Sequence, residues 1–134
     1  MGRVSGHNAG DTQAGIVEHV KKSIANEEIK VTTFAGNAEP SRMSPTDAPS
    51  YRMLNRTVRE VFPGTVVAPG LMIGGTDSRH FEAISDNVYR FSPVRALAED
   101  LPRFHGTNER ISVKNYSELI SFYHRLLVNS AKAE

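Results

Sequence analysis

The stretch that most constrains the fold is LMIGGTDSRHFEAI, residues 71–84. An apolar run ends at two glycines, polar or ionisable residues follow directly, and the remainder has the pattern of a short helix. A strand that turns into a helix in this way is typical of α/β proteins, in which strands and helices alternate. Ligands of open α/β sheets bind outside the carboxyl ends of the strands, so residues 74–80 are the first candidate site.

Periodicity on both sides of this stretch predicts the other elements. Apolar residues at helical spacing predict three longer helices, over 10–28, 48–62 and 114–130. Alternating or apolar runs predict three strands, over 29–35, 65–73 and 87–93. The last helix is expected to bury a stripe formed by Tyr116, Leu119, Ile120, Tyr123, Leu126 and Leu127. This order predicts an α/β fold with a mixed or parallel sheet and flanking helices.

Caps and breakers set the expected ends of these elements. Asp11 or Thr12 is the expected N-cap of the first helix, and Pro63 with Gly64 is expected to end the second. The segment 36–50 is rich in proline and small polar residues and predicts a linker. We therefore expect one domain over residues 1–38 and another over 39–134. The first is too small to bury a face alone.

Composition excludes several classes of protein. The formal net charge is +1 with acids and bases interspersed, so no basic face for nucleic acid or an anionic membrane is expected. No apolar run approaches the roughly 20 residues of a membrane span. The N-terminal residues lack the apolar core of a signal peptide, and no compartment is predicted. The absence of cysteine excludes disulfides and thiolate metal sites.

The turn over residues 74–80 has the chemistry of an anion site. Gly74 and Gly75 allow close approach of the backbone to a ligand, and the N–H groups that open the following helix favour an anion. Arg79 in its first turn can hold a carboxylate or phosphate with two parallel hydrogen bonds. A simpler alternative is that Asp77 or Ser78 caps the helix and Arg79 pairs with a surface acid. A nucleophilic triad is disfavoured, since such triads join distant segments.

His105 is the histidine with the most suggestive position. It lies beside Gly106 in a long loop, and long loops in compact domains are often functional. A zinc site needs three or four ligands, and no second ligand stands at suitable spacing from His105. If His105 binds a metal, most of the site must lie elsewhere. The other histidines are expected to be surface or structural residues, namely His7, His19, His80 and His124.

Three motifs in this order resemble the C-terminal end of the di-zinc metallopeptidase family. They are GGTDSRHF (74–81), NVYRFSP (87–93) and FHGTNERISVKNYSELISFYHRLL (104–127). This family includes Gly-X carboxypeptidase, aminoacylase, glutamate carboxypeptidase and succinyl-diaminopimelate desuccinylase. The motifs are most similar to the branch with carboxypeptidase S and the N-fatty-acyl-amino-acid hydrolases. The resemblance implies that residues 1–38 are the last helix and strand of a partial α+β lid domain. Residues 39–134 would be the C-terminal segment of the catalytic domain.

The resemblance also assigns roles to particular residues. It implies that Arg79 binds the free carboxylate of the substrate, in a pocket that Gly74, Gly75 and Thr76 shape. It implies that His105 is the last protein ligand of one zinc. Two residues that follow this ligand, Asn108 and Glu109, would brace the loop around it.

The family's remaining zinc ligands and its general base have no counterpart in this chain. The complete enzyme would hold two zincs and cleave an amide bond next to a free carboxylate, in a peptide or an N-acyl amino acid. We expect no catalytic residue, no stable zinc and no turnover in this chain alone. The alternative is a non-catalytic interaction module that kept the fold and self-associates, which would make it a homo-oligomer.

Overall fold

The computed structural model describes residues 12–36, 38–39, 41–70, 72 and 75–132. Three α-helices and two 3₁₀-helices are found in these residues. In chain order they are α1 (Gln13–Ile24), α2 (Pro49–Val61), a first 3₁₀-helix (Asp77–Ala83), a second 3₁₀-helix (Ala98–Arg103) and α3 (Val113–Ser130). In this described part of the chain, no helix has both the length and the apolar character that crossing a membrane would require.

The chain divides into two compact units that each combine two segments. The first unit comprises residues 1–44 and 70–88, and the second comprises residues 45–69 and 89–134. The stretch 71–84 therefore belongs to the same unit as α1, and α2 and α3 belong to the other. The expected domain boundary between residues 38 and 39 stays a prediction.

The ends of α1 and α2 follow the expected caps. The Thr12 hydroxyl accepts a hydrogen bond from the Gly15 N–H at 3.1 Å, which confirms Thr12 as the N-cap of α1. Pro49 lies in the first turn of α2, where a missing N–H costs nothing. Helix α2 ends at Val61 with Phe62 as its C-cap, and Gly64 has a φ of +81° in the turn that follows. Only glycine adopts that backbone conformation without strain, so the predicted stop is confirmed.

The second unit is built on the packing of α2 against α3. Its apolar centre is small: Val58 on α2 is 3% exposed and Phe122 on α3 is 1% exposed. The Phe122 ring lies between Phe91, at a centroid distance of 5.3 Å, and Phe62, at 6.5 Å. Aromatic pairs at such distances add to the energy of area burial. Phe122 therefore carries much of the apolar stabilisation of this unit.

Helix α3 buries a different face from the one predicted. Tyr116, Ile120, Tyr123 and Leu127 are 43–69% exposed, and the buried residues of α3 are Asn115, Phe122 and Asn129. The prediction for these four residues was wrong because α3 is apolar on two faces and polar residues occupy part of its buried face. Hydropathy cannot find a buried asparagine whose amide is fully hydrogen-bonded.

Asn129 joins α3 to α2 through a buried polar network. Its amide donates to the Thr57 hydroxyl and to the Glu60 carboxylate, both at 2.9 Å. Thr57 is fully buried, and its hydroxyl donates in turn to the Met53 carbonyl at 2.9 Å. Arg125 donates to the same Glu60 carboxylate at 2.6 Å. The network fixes the register of the two helices because sliding one past the other would leave these polar groups unpaired.

The predicted strands are absent from the described residues of 29–35, 65–73 and 87–93, none of which forms a ladder. Side chains take the place of a neighbouring strand. The Ser44 hydroxyl accepts from the Val88 N–H at 2.8 Å and donates to the Val88 carbonyl at 2.9 Å. In the same way, the Asn115 side-chain amide donates to the Pro93 carbonyl at 2.9 Å and accepts from the Arg95 N–H at 2.8 Å. A strand needs a partner strand, and no such pairing occurs in the described residues of these three segments. The sheet and the lid of the α/β prediction therefore remain predictions.

We expect the stability of the second unit to fall in acid. Hydrogen bonds from Asn129 and then Arg125 lower the pKa of Glu60 below its ordinary value of 4.5, and Arg95 does the same for Glu118. A depressed pKa in the folded state stabilises the fold above the unfolded pKa. That stabilisation is lost as the pH falls through the folded value. Urea unfolding between pH 7 and about pH 3 measures this effect.

Glu60→Gln should flatten that pH dependence, and Glu28→Gln, an exposed change in the first unit, should leave it unchanged. Equal acid sensitivity of wild type and Glu60→Gln would show that this carboxylate does not contribute.

Candidate functional site

Thr76 organises the candidate anion turn. Gly74 lies outside the described residues. The Thr76 hydroxyl accepts from the Ser78 N–H at 3.3 Å and is hydrogen-bonded to the Ser78 hydroxyl. The Thr76 carbonyl accepts from the Arg79 N–H at 3.3 Å, which closes the first turn of the 3₁₀-helix. The N-cap is thus Thr76, and not the Asp77 or Ser78 of the simpler alternative.

Arg79 projects from this turn as an exposed side chain. Its Nε lies 3.5 Å from Nε2 of His80, and no acidic side chain of the described residues forms an ion pair with it. A Cβ built at Gly75 would meet no atom within 4 Å, so there is open space at that position. An exposed guanidinium that forms no ion pair is able to receive a carboxylate.

His105 lies in a turn whose backbone is unusual. The φ of His105 is +58° and that of Asn108 is +61°, both in the left-handed region. A Cβ at Gly106 would lie 3.0 Å from the Pro102 carbonyl oxygen, a contact so close that the backbone would have to shift to accept a side chain there. Non-glycine residues in left-handed conformations cluster at ligand clamps and active sites, although histidine and asparagine tolerate them better than most residues. The geometry is compatible with a functional turn.

The second 3₁₀-helix supports this turn from its N-terminal side. The Asp100 carboxylate accepts from the Leu97 N–H at 3.0 Å and from the Arg103 guanidinium at 2.8 Å. Arg103 also donates to the Glu99 carbonyl at 3.0 Å, and the Gly106 N–H donates to the Arg103 carbonyl at 2.9 Å. The Leu97 hydrogen bond in particular lowers the pKa of Asp100. Sequence reasoning missed this scaffold, although the spacing of Asp100 and Arg103 on one helical face was a usable signal.

The described residues do not complete a zinc site. No group of three or more histidine, aspartate or glutamate side chains among them is placed to hold a metal ion. His105 is exposed and can supply one imidazole, whereas zinc takes at least three protein ligands. Asn108 and Glu109 are also exposed, and the bracing role that the resemblance gave them stays a prediction. The anchor residues belong to the first unit, and His105, Asn108 and Glu109 belong to the second.

One surface cavity was not foreseen from the sequence. It has a volume of about 530 Å³ and lies along the polar face of α2. Three of the residues that line it are arginines at helical spacing, Arg52, Arg56 and Arg59. That spacing is the feature of the sequence that could have predicted a basic face here. Each is already engaged, Arg52 with the Asp47 carbonyl, Arg56 with Glu60 and Arg59 with Asn55. This cavity lies in the second unit, whereas Arg79 lies in the first.

The order of the three motifs resembles that of a metallopeptidase segment, and comparison with known proteins confirms that class. Residues 4–129 match the sequence family described as Peptidase family M20/M25/M40. The chain therefore belongs to this family, whose peptidases are in general zinc-dependent. No solved structure matches the chain.

Several characterised or named relatives share this segment. The chain is 37% identical over 123 residues to a probable carboxypeptidase S-like 2 from Dictyostelium discoideum. That alignment covers 92% of this chain and 24% of the Dictyostelium protein. It is 40% identical over 116 residues to the N-fatty-acyl-amino acid synthase/hydrolase PM20D1 from Xenopus tropicalis, covering 86% and 22%. The human protein of that name is 36% identical over 124 residues, covering 90% and 24%. The chain thus spans about a quarter of the length of these relatives.

Proposed function

We propose that this chain is a segment of a zinc-dependent hydrolase that cleaves an amide bond next to a free carboxylate. The substrate would be a peptide or an N-acyl amino acid. The observation that carries this proposal is the family match across residues 4–129, together with relatives named as carboxypeptidases and N-fatty-acyl-amino acid hydrolases. Both kinds of name describe substrates that have a carboxylate beside the reacting amide.

Arg79 is the proposed anchor for that carboxylate. Its side chain is exposed, and a Cβ built at Gly75 would meet no atom within 4 Å. The planar fork of arginine matches the two oxygens of a carboxylate, which fixes both the position and the orientation of the substrate. Orientation contributes to rate because it holds the reacting bond in a productive geometry. Arg79 would therefore act by positioning the substrate.

His105 is the proposed contribution of this chain to zinc binding. The turn that carries it is fixed by Gly106 and by the hydrogen bonds of Asp100 and Arg103. Zinc in such hydrolases acts as a Lewis acid and lowers the pKa of a bound water. The described residues supply one candidate ligand, so the other ligands and the general base would have to come from outside them.

We expect the isolated chain to be inactive. The described residues bring together neither a metal site nor a carboxylate base next to one, so added zinc should not produce turnover. The test is an assay of dipeptide and N-acyl amino acid hydrolysis in which the release of free amine is measured. Turnover that co-purifies with the chain and disappears with a chelator would contradict the expectation.

We also expect no stoichiometric zinc at His105 in the monomeric chain, because a single imidazole cannot close a tetrahedral site. Isothermal titration calorimetry of the wild-type chain, with His105→Ala and the exposed control His124→Ala, makes the measurement. Tight one-to-one binding that His105→Ala abolishes and His124→Ala preserves would refute this expectation.

A further inference from the structure

The cavity along the polar face of α2 is lined by more positive than negative charge. Its volume of about 530 Å³ lies within the range of about 300–1,000 Å³ that is usual for small-molecule sites. Arg52, Arg56 and Arg59 line it, and Glu60 is the one acid among its described lining residues. Three cations against one anion leave two positive charges unbalanced. The cavity is therefore a candidate site for an anion, and the proposed hydrolase function makes no use of it.

Glu60 offsets only part of this charge because three groups share its carboxylate. One carboxylate oxygen accepts from Arg125 at 2.6 Å and from Asn129 at 2.9 Å. The other oxygen lies 3.4 Å from Nε of Arg56. Arg125 thus adds a further positive charge beside the same carboxylate, and Arg56 is only partly neutralised.

Arg52 and Arg59 are held in place by neutral groups. Arg52 donates through one terminal N–H to the Asp47 carbonyl, and Arg59 donates through Nε to the Asn55 side-chain oxygen at 2.7 Å. Neither arginine forms an ion pair with a carboxylate of the described residues. Because the Asn55 oxygen accepts from Arg59, the N–H groups of the Asn55 amide are left to donate to a ligand. Side chains that are held in advance lose less freedom when a ligand binds, so this arrangement suits a bound anion.

We propose that this cavity binds a small, soluble phosphate monoester that carries an aromatic group. A phosphate monoester has a charge of about −1.5 to −2 at pH 7, which matches the two unbalanced positive charges, whereas a carboxylate or a sulfate ester matches only one. The planar fork of arginine also suits phosphate oxygens. The cavity wall includes Tyr51, whose ring packs against that of Tyr89 at a centroid distance of 5.5 Å. An aromatic group on the ester can pack against the Tyr51 ring.

Isothermal titration calorimetry of this chain with phenyl phosphate and phenyl sulfate tests the charge argument, because the two probes share a shape and differ in charge. Phenyl phosphate should bind saturably at one site, and phenyl sulfate at least about tenfold more weakly. Arg59→Gln removes the guanidinium and should weaken phenyl phosphate binding at least about tenfold. Arg42→Gln, a change at an exposed arginine of the first unit, is the matched control and should leave the affinity unchanged.

Circular dichroism shows whether each variant folds. If Arg59→Gln does not fold, Arg52→Gln makes the same comparison, since it gives up one hydrogen bond to a backbone carbonyl. Equal affinity for phenyl phosphate and phenyl sulfate would overturn the proposal. Binding of phenyl phosphate that neither arginine substitution weakens would overturn it too, because the anion would then lie elsewhere on the chain.

Two further probes identify the group that carries the phosphate. Inorganic phosphate should bind more weakly than phenyl phosphate, and equal affinity would refute the contact between the ester and Tyr51. Phosphatidylcholine vesicles that contain phosphatidic acid present the same phosphate chemistry on a lipid surface. Sedimentation of the chain with these vesicles, without saturable binding of phenyl phosphate, would assign the arginines to a membrane and overturn the proposal. None of these measurements depends on hydrolysis, so the result stands or falls separately from the proposed function.

Discussion

Replacing Phe122 by alanine is expected to destabilise the second unit by about 3–5 kcal/mol, the usual range for a buried phenylalanine. The Phe122 ring is 1% exposed and contacts three other aromatic rings, those of Phe62, Phe91 and Tyr123. Alanine would leave a cavity in an apolar centre that has few other members, so the site cannot be refilled by neighbouring side chains. Urea unfolding followed by circular dichroism gives the change in free energy.

Tyr116→Ala is the matched control, because Tyr116 is an aromatic residue of the same helix that is 58% exposed. Its change in the free energy of unfolding should stay within about 0.5 kcal/mol, as for most surface substitutions. A Phe122→Ala variant no less stable than Tyr116→Ala would show that the α2–α3 contact does not hold the unit together.

The helices could be predicted from the sequence because their signals are local. Thr12 and Gly64 act through a hydrogen bond and a backbone angle within one turn, and each acted as expected. The buried face of α3 could not be predicted, because it depends on what lies opposite. Asn115 and Asn129 are buried only because the segment around Pro93 and the Thr57 hydroxyl satisfy their amides.

The predicted strands are not formed in the described residues for a related reason. A strand is defined by its partner, and an alternating pattern records only that one face suits burial. In the segment around Val88, the hydroxyl of Ser44 bonds both backbone groups that a ladder would use. Ser44 and Val88 lie far apart along the chain, so no local pattern in the sequence predicts that they are hydrogen-bonded.

The candidate site was predicted as residue types and only partly as geometry. The position of Arg79 beside a turn could be read from the sequence, because it follows from chemistry within a few residues. The left-handed backbone at His105 and Asn108 could not, because neither residue is the glycine that usually marks such a backbone.

Substitution of Arg79 in a complete, active protein is expected to lower kcat/KM without changing zinc content. Arg79→Ala would leave the substrate carboxylate partly buried without a partner, at a cost of about 2–5 kcal/mol by analogy with other buried charge pairs. That cost corresponds to about 30-fold to several thousand-fold in kcat/KM. Arg79→Lys keeps the charge and loses the fork, so it should also be harmful. Arg42→Ala, a change at an exposed arginine paired with Asp86 in the same unit, is the matched control and should have little effect.

His105→Ala gives the contrast that assigns the two roles. The full-length background is a chimera in which this chain replaces the matched quarter of the Dictyostelium carboxypeptidase S-like protein. Because His105 is a proposed zinc ligand, the His105→Ala variant should lose both bound zinc and activity. The Arg79→Ala variant should lose activity and keep its zinc. Steady-state kinetics and zinc per chain are therefore measured for both variants on a substrate with a free carboxylate. Suppose Arg79→Ala keeps kcat/KM within a few-fold of the unsubstituted protein. Then the turn that Thr76 caps is only the start of a helix, and the carboxylate is held by another residue.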